Sequence, residues 1–304
     1  MEETLQNKTR CIAAQDREYP ERLGKLTGMP KKLYVKGRMP RDELPAIAIV
    51  GARMCSSYGR VQAYQYARYF SRAGIQVISG LAMGIDLEAH KGALDGGTPT
   101  FAVLGSGPDL CYPAANRTYY RKIQEMGGGI LSEYPARTPP AAWHFPARNR
   151  IISGLADVVL VIEAREKSGA LITVDFALEQ GKSVYALPGP VDSPLSLGCH
   201  KLLRDGAGVA FSPEEVLKEW DPDTYKVDTT GKKTKIRLAT EWDLVYSNLD
   251  LQPRSLESLA VSLDMPVAKV LKILADLEIK GLIREVGKNY YIKWERTPGS
   301  MSEQ

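Results

Sequence analysis

Short apolar runs that end in glycine recur along the chain, and they fix the kind of fold it can adopt. Ala46-Ile47-Ala48-Ile49-Val50 ends in Gly51-Ala52-Arg53, and Gln76-Val77-Ile78 runs into Ser79-Gly80-Leu81-Ala82-Met83-Gly84-Ile85-Asp86. Thr100-Phe101-Ala102-Val103-Leu104 is followed by Gly105-Ser106-Gly107, and Ser183-Val184-Tyr185-Ala186-Leu187 by Pro188-Gly189. Continuous apolar runs suit strands buried on both faces. Gly129–Glu133 and Asp157–Glu163 supply two more, the latter the most apolar in the chain. Helix-length segments lie between them, near 58–73, 86–97, 117–126 and 169–180. This alternation predicts an α/β fold with a doubly wound, mostly parallel sheet. Gly51, Gly80, Gly105 and Gly189 all fall just past a strand's carboxyl end. In an open parallel sheet those ends border one crevice where ligands bind. Glycine there lets backbone N–H groups approach a phosphate, so the pattern predicts an anion site.

At 304 residues the chain has room for one large domain and one small one. Residues 1–45 read as a lead-in packed on the main domain, with an extended segment at Lys32–Gly37, and 46–220 as the main domain. Residues 221–235 are polar and charged and read as a linker. Residues 236–296 offer three helices and a terminal hairpin, the pattern of a winged helix-turn-helix, and 297–304 form a tail. No long apolar stretch predicts a membrane span, so no membrane partner is expected. The four cysteines and three histidines are scattered without ligand spacing. They predict free thiols in a cytoplasmic protein, with no metal and no cofactor. A net charge of +4 permits a polyanionic partner without demanding one.

The first loop, Gly51 to Gly59, lacks the G-x-G-x-x-G spacing, and no phosphate-binding G-x-x-x-x-G-K-[ST] occurs. A nicotinamide dehydrogenase or a nucleoside triphosphatase is therefore disfavoured. Arg53 and Ser56 offer a charge and a hydroxyl beside exposed N–H groups, which suits phosphodiesters. The alternative for Arg53 is a structural ion pair. The stretch Trp143-His144-Phe145-Pro146-Ala147-Arg148-Asn149-Arg150 places two arginines just after a proline that suits a helix start. Cations disfavour a helix N-terminus, so Arg148 and Arg150 read either as ligands of an anion or as partners of Glu133 or Glu163. Ser168 opens another helix at the same sheet edge, as a cap or a phosphate hydroxyl. Phe145 and Tyr112 are candidates for stacking on bases. No nucleophile constellation stands out, and Asp86 and Asp109 read as helix or turn caps.

Together these stretches resemble the DNA-processing protein A (DprA/Smf) family. The resemblance rests on Tyr19-Pro20-Glu21-Arg22-Leu23, Leu33-Tyr34-Val35-Lys36-Gly37, Ile49–Arg53 with Ser57-Tyr58-Gly59, Ser79–Asp86, and Gly105–Asp109 with Tyr112-Pro113 and Asn116. It continues through Phe145–Leu155, Val161–Ala164, Ser168–Thr173, Pro188-Gly189 and Gly206-Ala207, covering about residues 16–220 in order. His200 departs from the family's usual asparagine, and the N-terminal helical domain that many members carry has no counterpart here. The resemblance implies an extended Rossmann-like domain followed by a small winged-helix domain. It implies a non-enzymatic, homodimeric protein that binds and protects single-stranded DNA and loads RecA onto it in natural transformation. It implies a positively charged pocket at the sheet edge in which Arg53 and the Phe145–Arg150 segment hold the strand; with the loop residues read above, the expected site takes in Gly51, Arg53, Ser56, Gly80, Gly105, Ser106, Phe145, Arg148, Asn149, Arg150 and Ser168.

Two other functions compete. A nucleotide or phosphoribosyl hydrolase would use the same crevice, with Glu133 or Glu163 as its carboxylate. A transcriptional regulator would read duplex DNA through residues 236–296. Positive and negative side chains are about balanced in that unit, which favours protein contact or weak duplex binding over a dedicated reader.

Overall fold

The computed structural model describes residues 8–220, 240–249 and 253–294. The linker predicted at 221–235 and the tail at 297–304 lie outside them. The described residues fall into two compact units, one within Met1–Val227 and one within Asp228–Gln304. The N-terminal unit runs β1 (Arg10–Ala13), α1 (Glu21–Gly24), β2 (Lys32–Gly37), β3 (Ala46–Val50), α2 (Ser57–Arg72), β4 (Gln76–Ser79), α3 (Ile85–Gly96) and β5 (Thr100–Leu104). A 3-10 turn (Ala114–Asn116), α4 (Arg117–Glu125), β6 (Gly129–Ser132), α5 (His144–Leu155) and β7 (Val158–Val161) follow. The unit ends with α6 (Gly169–Glu179), β8 (Ser183–Ala186), α7 (Leu197–Arg204), β9 (Gly208–Val209) and α8 (Pro213–Trp220).

These strands make a nine-stranded sheet in the order β1-β2-β6-β5-β4-β3-β7-β8-β9. From β6 to β9 every neighbouring pair is parallel. The order runs outward from β3 through β6, then restarts beside β3 with β7. The reversal between β3 and β7 is the switch point where such sheets open a crevice. Both faces are covered, as the continuous apolar runs require. Ala46, Ala48, Val50, Val159 and Val161 pack with Ile151, Ile152 and Leu155 of α5 and with Val174 and Ala177 of α6. Ile47, Ile49, Val158 and Leu160 point the other way, onto Ala63, Tyr66 and Phe70 of α2, Ala89 of α3, and Val216 and Leu217 of α8.

Two features differ from the sequence expectation. The lead-in supplies a β1–β2 hairpin that extends the sheet antiparallel to β6. Arg22 ties it down, donating to Asp42 Oδ1 at 2.9 Å and to the Leu155 carbonyl at 2.9 Å. Helix α5 begins at His144, two residues before Pro146. Proline is tolerated anywhere in a first turn, because N–H groups there have no partner within the helix.

The C-terminal unit holds α9 (Thr240–Ser247), β10 (Arg254–Ser255), α10 (Leu256–Leu263), α11 (Val267–Ile279), β11 (Ile283–Gly287) and β12 (Tyr290–Lys293). Its core is Val245, Leu256, Leu259, Val270, Ile273, Leu274, Leu277, Ile283 and Tyr291. Helix α11 has the position of a recognition helix, but two of its surrounding lysines are engaged within the unit. Lys269 Nζ lies 2.5 Å from Glu241 Oε1, and Lys280 Nζ sits 4.9 Å from the centre of the Trp242 ring. Among the described residues no helix is long and apolar enough to cross a membrane.

Candidate functional site

A cavity of about 550 Å³ opens at the carboxyl edge of the sheet, on the switch point. Gly51 and Arg53 reach it from the loop after β3, Ala82 and Asp86 from the segment after β4, and Tyr112 from the segment after β5. Phe145, Pro146, Arg148, Asn149 and Ile152 reach it from α5, and Ser168, Gly169, Ile172 and Thr173 from the loop after β7 and from α6. Three of the four loops that glycine spacing singled out, those after β3, β4 and β5, thus meet the arginine segment around one concavity, while the Gly189 loop after β8 does not line it and packs on Ser196.

Arg53 and Arg148 face the cavity in different states. Arg53 is exposed, and among the described residues its guanidinium meets no carboxylate. It lies over the Phe145 ring, 5.3 Å from the centroid. Phe145 in turn packs against Tyr112, with ring centroids 5.7 Å apart, and Tyr112 is 48% exposed. Arg148 is only 5% exposed. Its Nη1 donates to the Gly80 carbonyl at 2.8 Å and to the Val103 carbonyl, and its Nε donates to Asn149 Oδ1 at 3.0 Å. Arg148 therefore forms the floor beneath the cavity and bolts α5 to the ends of β4 and β5. Gly80 makes room for it: a side-chain carbon there would collide with the guanidinium. Phe145 and Arg148 are three residues apart on α5 and share a helix face. Fixing one therefore aims the other at the mouth. Gly105 has the matching role for Phe145, whose ring lies where a Cβ would sit.

The carboxylate that lines the cavity is Asp86, at the start of α3 and 7% exposed. Burial pushes its pKa up, opposed by Arg148, the Ala82 N–H and Arg53. Burial also lowers Arg148, to about 10, against the attraction of Asp86. Desolvation is the leading cause for both groups, so these are two buried opposite charges that attract each other without ion-pair contact and are held at a cost by the fold. The sequence reading treated Asp86 as a cap. Its four-residue spacing from Ala82, whose N–H it accepts at 3.4 Å, agrees with that, but its burial beside Arg148 was not visible.

Several predicted ligands have other work. Ser56 Oγ donates to Glu163 Oε1 at 2.5 Å and accepts from the Gly59 N–H at 3.0 Å, and the Ser56 N–H donates to Glu163 Oε2 at 2.9 Å. The Glu163 carboxylate thus occupies the N-terminus of α2, where a phosphate would otherwise sit. Arg150 donates to Glu133 Oε1 at 2.7 Å, the ion-pair alternative named for it from sequence. Neither Glu133 nor Glu163 lines the cavity, so the carboxylates proposed for a hydrolase are both engaged elsewhere. Ser106 is buried and donates to the Leu110 carbonyl at 3.1 Å, which shapes a turn. Gly80 and Gly105 lie behind the lining. Asn149 Nδ2 donates to the Gly169 carbonyl at 3.2 Å, linking α5 to the loop after β7. Ser168 caps α6 by accepting from the Ala170 N–H at 3.3 Å. What lines the mouth without such a bond among the described residues is Arg53, Phe145, Tyr112 and Gly51, with the Asn149 side chain and the Ser168–Gly169 turn at the rim already bonded within the protein. A cation without an ion pair among the described residues beside an aromatic platform suits a phosphodiester strand with unpaired bases.

Comparison with known proteins agrees with this architecture. Residues 10–221 match the family model of DNA recombination-mediator protein A, and residues 234–287 match that of the DprA winged helix domain. Protein Smf of Escherichia coli (strain K12) is 36% identical over 285 residues, which cover 92% of this chain and 76% of that protein. DNA processing protein DprA of Streptococcus pneumoniae is 40% identical over 206 residues, covering 67% of this chain and 71% of the other. The X-ray structure of DprA from Streptococcus pneumoniae superposes with a TM-score of 0.65 at 39% identity, over 71% of this chain and 76% of that one. DNA processing protein A from Helicobacter pylori, solved for insight into its single-stranded DNA binding mode, gives a TM-score of 0.63 at 29% identity. That match covers 72% of this chain and 98% of the other.

Proposed function

The chain belongs to the DNA recombination-mediator protein A (DprA/Smf) family, and we propose that it captures single-stranded DNA at the switch-point cavity and delivers it to RecA. The observation that carries this reading is Arg53: an exposed guanidinium, without an ion pair among the described residues, laid on Phe145 at the mouth of the cavity. An exposed cation–π contact contributes about 0.5–1 kcal/mol. Stacking a base on an aromatic ring contributes about 1–3 kcal/mol. Arg53 therefore gains by leaving the ring for a phosphate while a base takes its place against Phe145 or Tyr112. A duplex keeps its base faces stacked and offers nothing to that platform, so the site prefers single strands. Arg148, Gly80, Gly105 and Ser106 act by holding the platform in shape. The single-stranded DNA binding of the Helicobacter pylori relative supports the reading. So does the family's role as a recombination mediator, because a mediator must pass its strand to a recombinase.

The same proposal has the protein act without turnover, in the cytoplasm, as a homodimer, shielding the strand until RecA takes it. The winged-helix unit adds at most a weak duplex contact, since its lysines Lys269 and Lys280 are engaged internally. The decisive test is a fluorescence-anisotropy titration of the full chain against an oligothymidylate and a duplex of equal length across salt. Loss of one charge-assisted contact costs about 1.5–3 kcal/mol, so Arg53→Ala should weaken single-strand binding about 10- to 150-fold. It should also make the slope of log affinity against log salt shallower by about 0.7. Single-strand affinity unchanged in Arg53→Ala, or equal affinity for duplex, refutes the assignment. Sedimentation at several concentrations and RecA-filament assembly on protein-coated single strands test the dimer and the handover. Incubation with nucleoside monophosphates and NAD should yield no product.

A further inference from the structure

Helix α4 carries charge that the cavity leaves unused. Arg117, Arg121 and Lys122 are all exposed, and among the described residues none has an ion-pair partner. The first turn of α4 holds no acidic residue, although a helix N-terminus favours one. Lys122 Nζ lies 5.9 Å from the centre of the Tyr119 ring, and Lys91 Nζ of α3 lies 5.2 Å from the same ring. Two ammonium groups thus approach one half-buried tyrosine from α3 and α4. Two carboxylates are near this group: Glu88, which pairs with Lys91 at 2.8 Å and with Arg60 of α2 at 3.7 Å, and Glu125, exposed at the end of α4 three and four residues after Lys122 and Arg121. Against Arg60, Lys91, Arg117, Arg121 and Lys122 they leave a positive excess, and Arg117, at the start of the helix, is the cation furthest from Glu125.

The fold joins this patch to the cavity. Strands β3, β4 and β5 are neighbours, so the loops that follow them stand side by side on the carboxyl edge. Adjacent strands are about 4.8 Å apart, so these loops span about 10 Å. They present Arg53, then Met83 at 50% exposure, then Tyr112 at 48% exposure. Arg117 follows the Tyr112 segment directly and lies close enough to Cys111 to oppose the upward push of burial on its thiol. An apolar and an aromatic tip thus stand between a cation at each end of this path, a pattern that lets bases stack while phosphates are neutralised.

We propose that single-stranded DNA leaving the cavity runs over the loops after β4 and β5 onto α4, where Arg117, Arg121 and Lys122 bind further phosphates beside Tyr119. The proposal rests on capture of a single strand at Arg53 and extends it to a second contact region on the same protomer. It makes affinity depend on strand length. An oligothymidylate of about 4 nucleotides fills the cavity alone, whereas one of about 16 nucleotides also reaches α4.

The experiment compares the full-length protein with an Arg117→Ala, Arg121→Ala, Lys122→Ala triple variant and with Arg53→Ala on both oligonucleotides. The three side chains are exposed and among the described residues form no ion pair, Lys122 giving up only its approach to Tyr119, so the triple variant should melt close to the parent. It should bind the short strand within about twofold of the parent and the long strand at least tenfold more weakly. The salt slope for the long strand should be shallower by about 2, from about 0.7 for each of three phosphates. A second variant with Arg117→Lys and Arg121→Lys, which keeps the charge, should restore most of the affinity for the long strand. Equal loss on both strands, or no loss on the long one, overturns the track. If Arg53→Ala weakens both strands while the triple variant binds like the parent, the cavity reading stands and the track alone fails. If Arg53→Ala changes neither strand, the reading beneath it fails as well.

Discussion

Arg148 and Arg53 look interchangeable in a list of cavity residues, yet replacing each should produce opposite signatures. Arg148→Ala removes the charged donor from two backbone carbonyls, those of Gly80 and Val103, and strips buried Asp86 of the stronger of the two cations near it, leaving the exposed Arg53. Breaking a buried charge pair by deleting one partner costs about 3–5 kcal/mol. In a domain of this size each kcal/mol lowers the melting temperature by about 2–4 °C, so the fall should be about 6–20 °C. Arg53 is exposed and lies over the Phe145 ring face, so Arg53→Ala should change stability by no more than about 0.5–1 kcal/mol. Differential scanning calorimetry of the full chain, paired with the single-strand titration, reads both quantities. Adding Asp86→Asn to Arg148→Ala removes the uncompensated carboxylate and should recover part of the lost stability, because coupled neighbours are not additive. An Arg148→Ala protein that melts within about 2 °C of the parent but no longer binds strand would refute the structural role and make Arg148 a direct ligand.

Two further predictions concern groups behind the site. Thr100 Oγ1 donates its single proton to the Val77 carbonyl at 2.7 Å, so at 2.9 Å it must accept from His90 Nδ1–H, which leaves His90 Nε2 bare, buried and unpartnered. Burial, with help from Arg148, depresses the His90 pKa to about 3. The unfolded chain takes up that proton below about pH 6.5 and the folded one does not. Stability is therefore full above about pH 6.5 and is lost as pH falls toward 3. Between pH 6.5 and about 4.5 the parent should lose about 2–3 kcal/mol more than His90→Gln, read by urea unfolding. Parallel pH profiles would contradict the bare imidazole. Glu163→Gln keeps the size of the α2 cap but replaces one acceptor with a donor facing Ser56, which should cost about 1–3 kcal/mol by chemical denaturation while single-strand affinity holds. A loss of affinity without a loss of stability would place Glu163 in the binding site instead.

The sheet was legible in the sequence because strands buried on both faces must be apolar throughout, and Ala46–Val50, Thr100–Leu104 and Val158–Val161 are. The glycines after them located the crevice for the same reason: backbone geometry at a strand end is written in residue type. Strand β1 was not legible, since of Arg10–Ala13 only Ile12 is buried and so short an edge strand carries no pattern. The division of labour between the arginines was partly legible. Ile151, Ile152 and Leu155 stand three, four and seven residues after Arg148, which puts Arg148 on the buried stripe of α5. The pairing of Ser56 with Glu163 was not, because the partners are 107 positions apart and meet only once β3 and β7 lie side by side. The cations of α4 carry no local motif, and their shared surface with Lys91 exists only in the folded sheet order.

The carboxylate of Glu163 on the first turn of α2 has a consequence for competition in a crowded solution. A Rossmann-like protein usually holds a mononucleotide by that turn, gripping one phosphate tightly. Here the turn is already satisfied by the protein's own anion, so no single phosphate finds a strong cradle. Affinity has to be assembled from several modest contacts that only a polymer can make at once, each raising the effective concentration for the next. A strand of DNA gains from that multiplication, and a free nucleotide does not. On the proposed capture of single-stranded DNA, an abundant pool of mononucleotides should therefore bathe the cavity without displacing the strand.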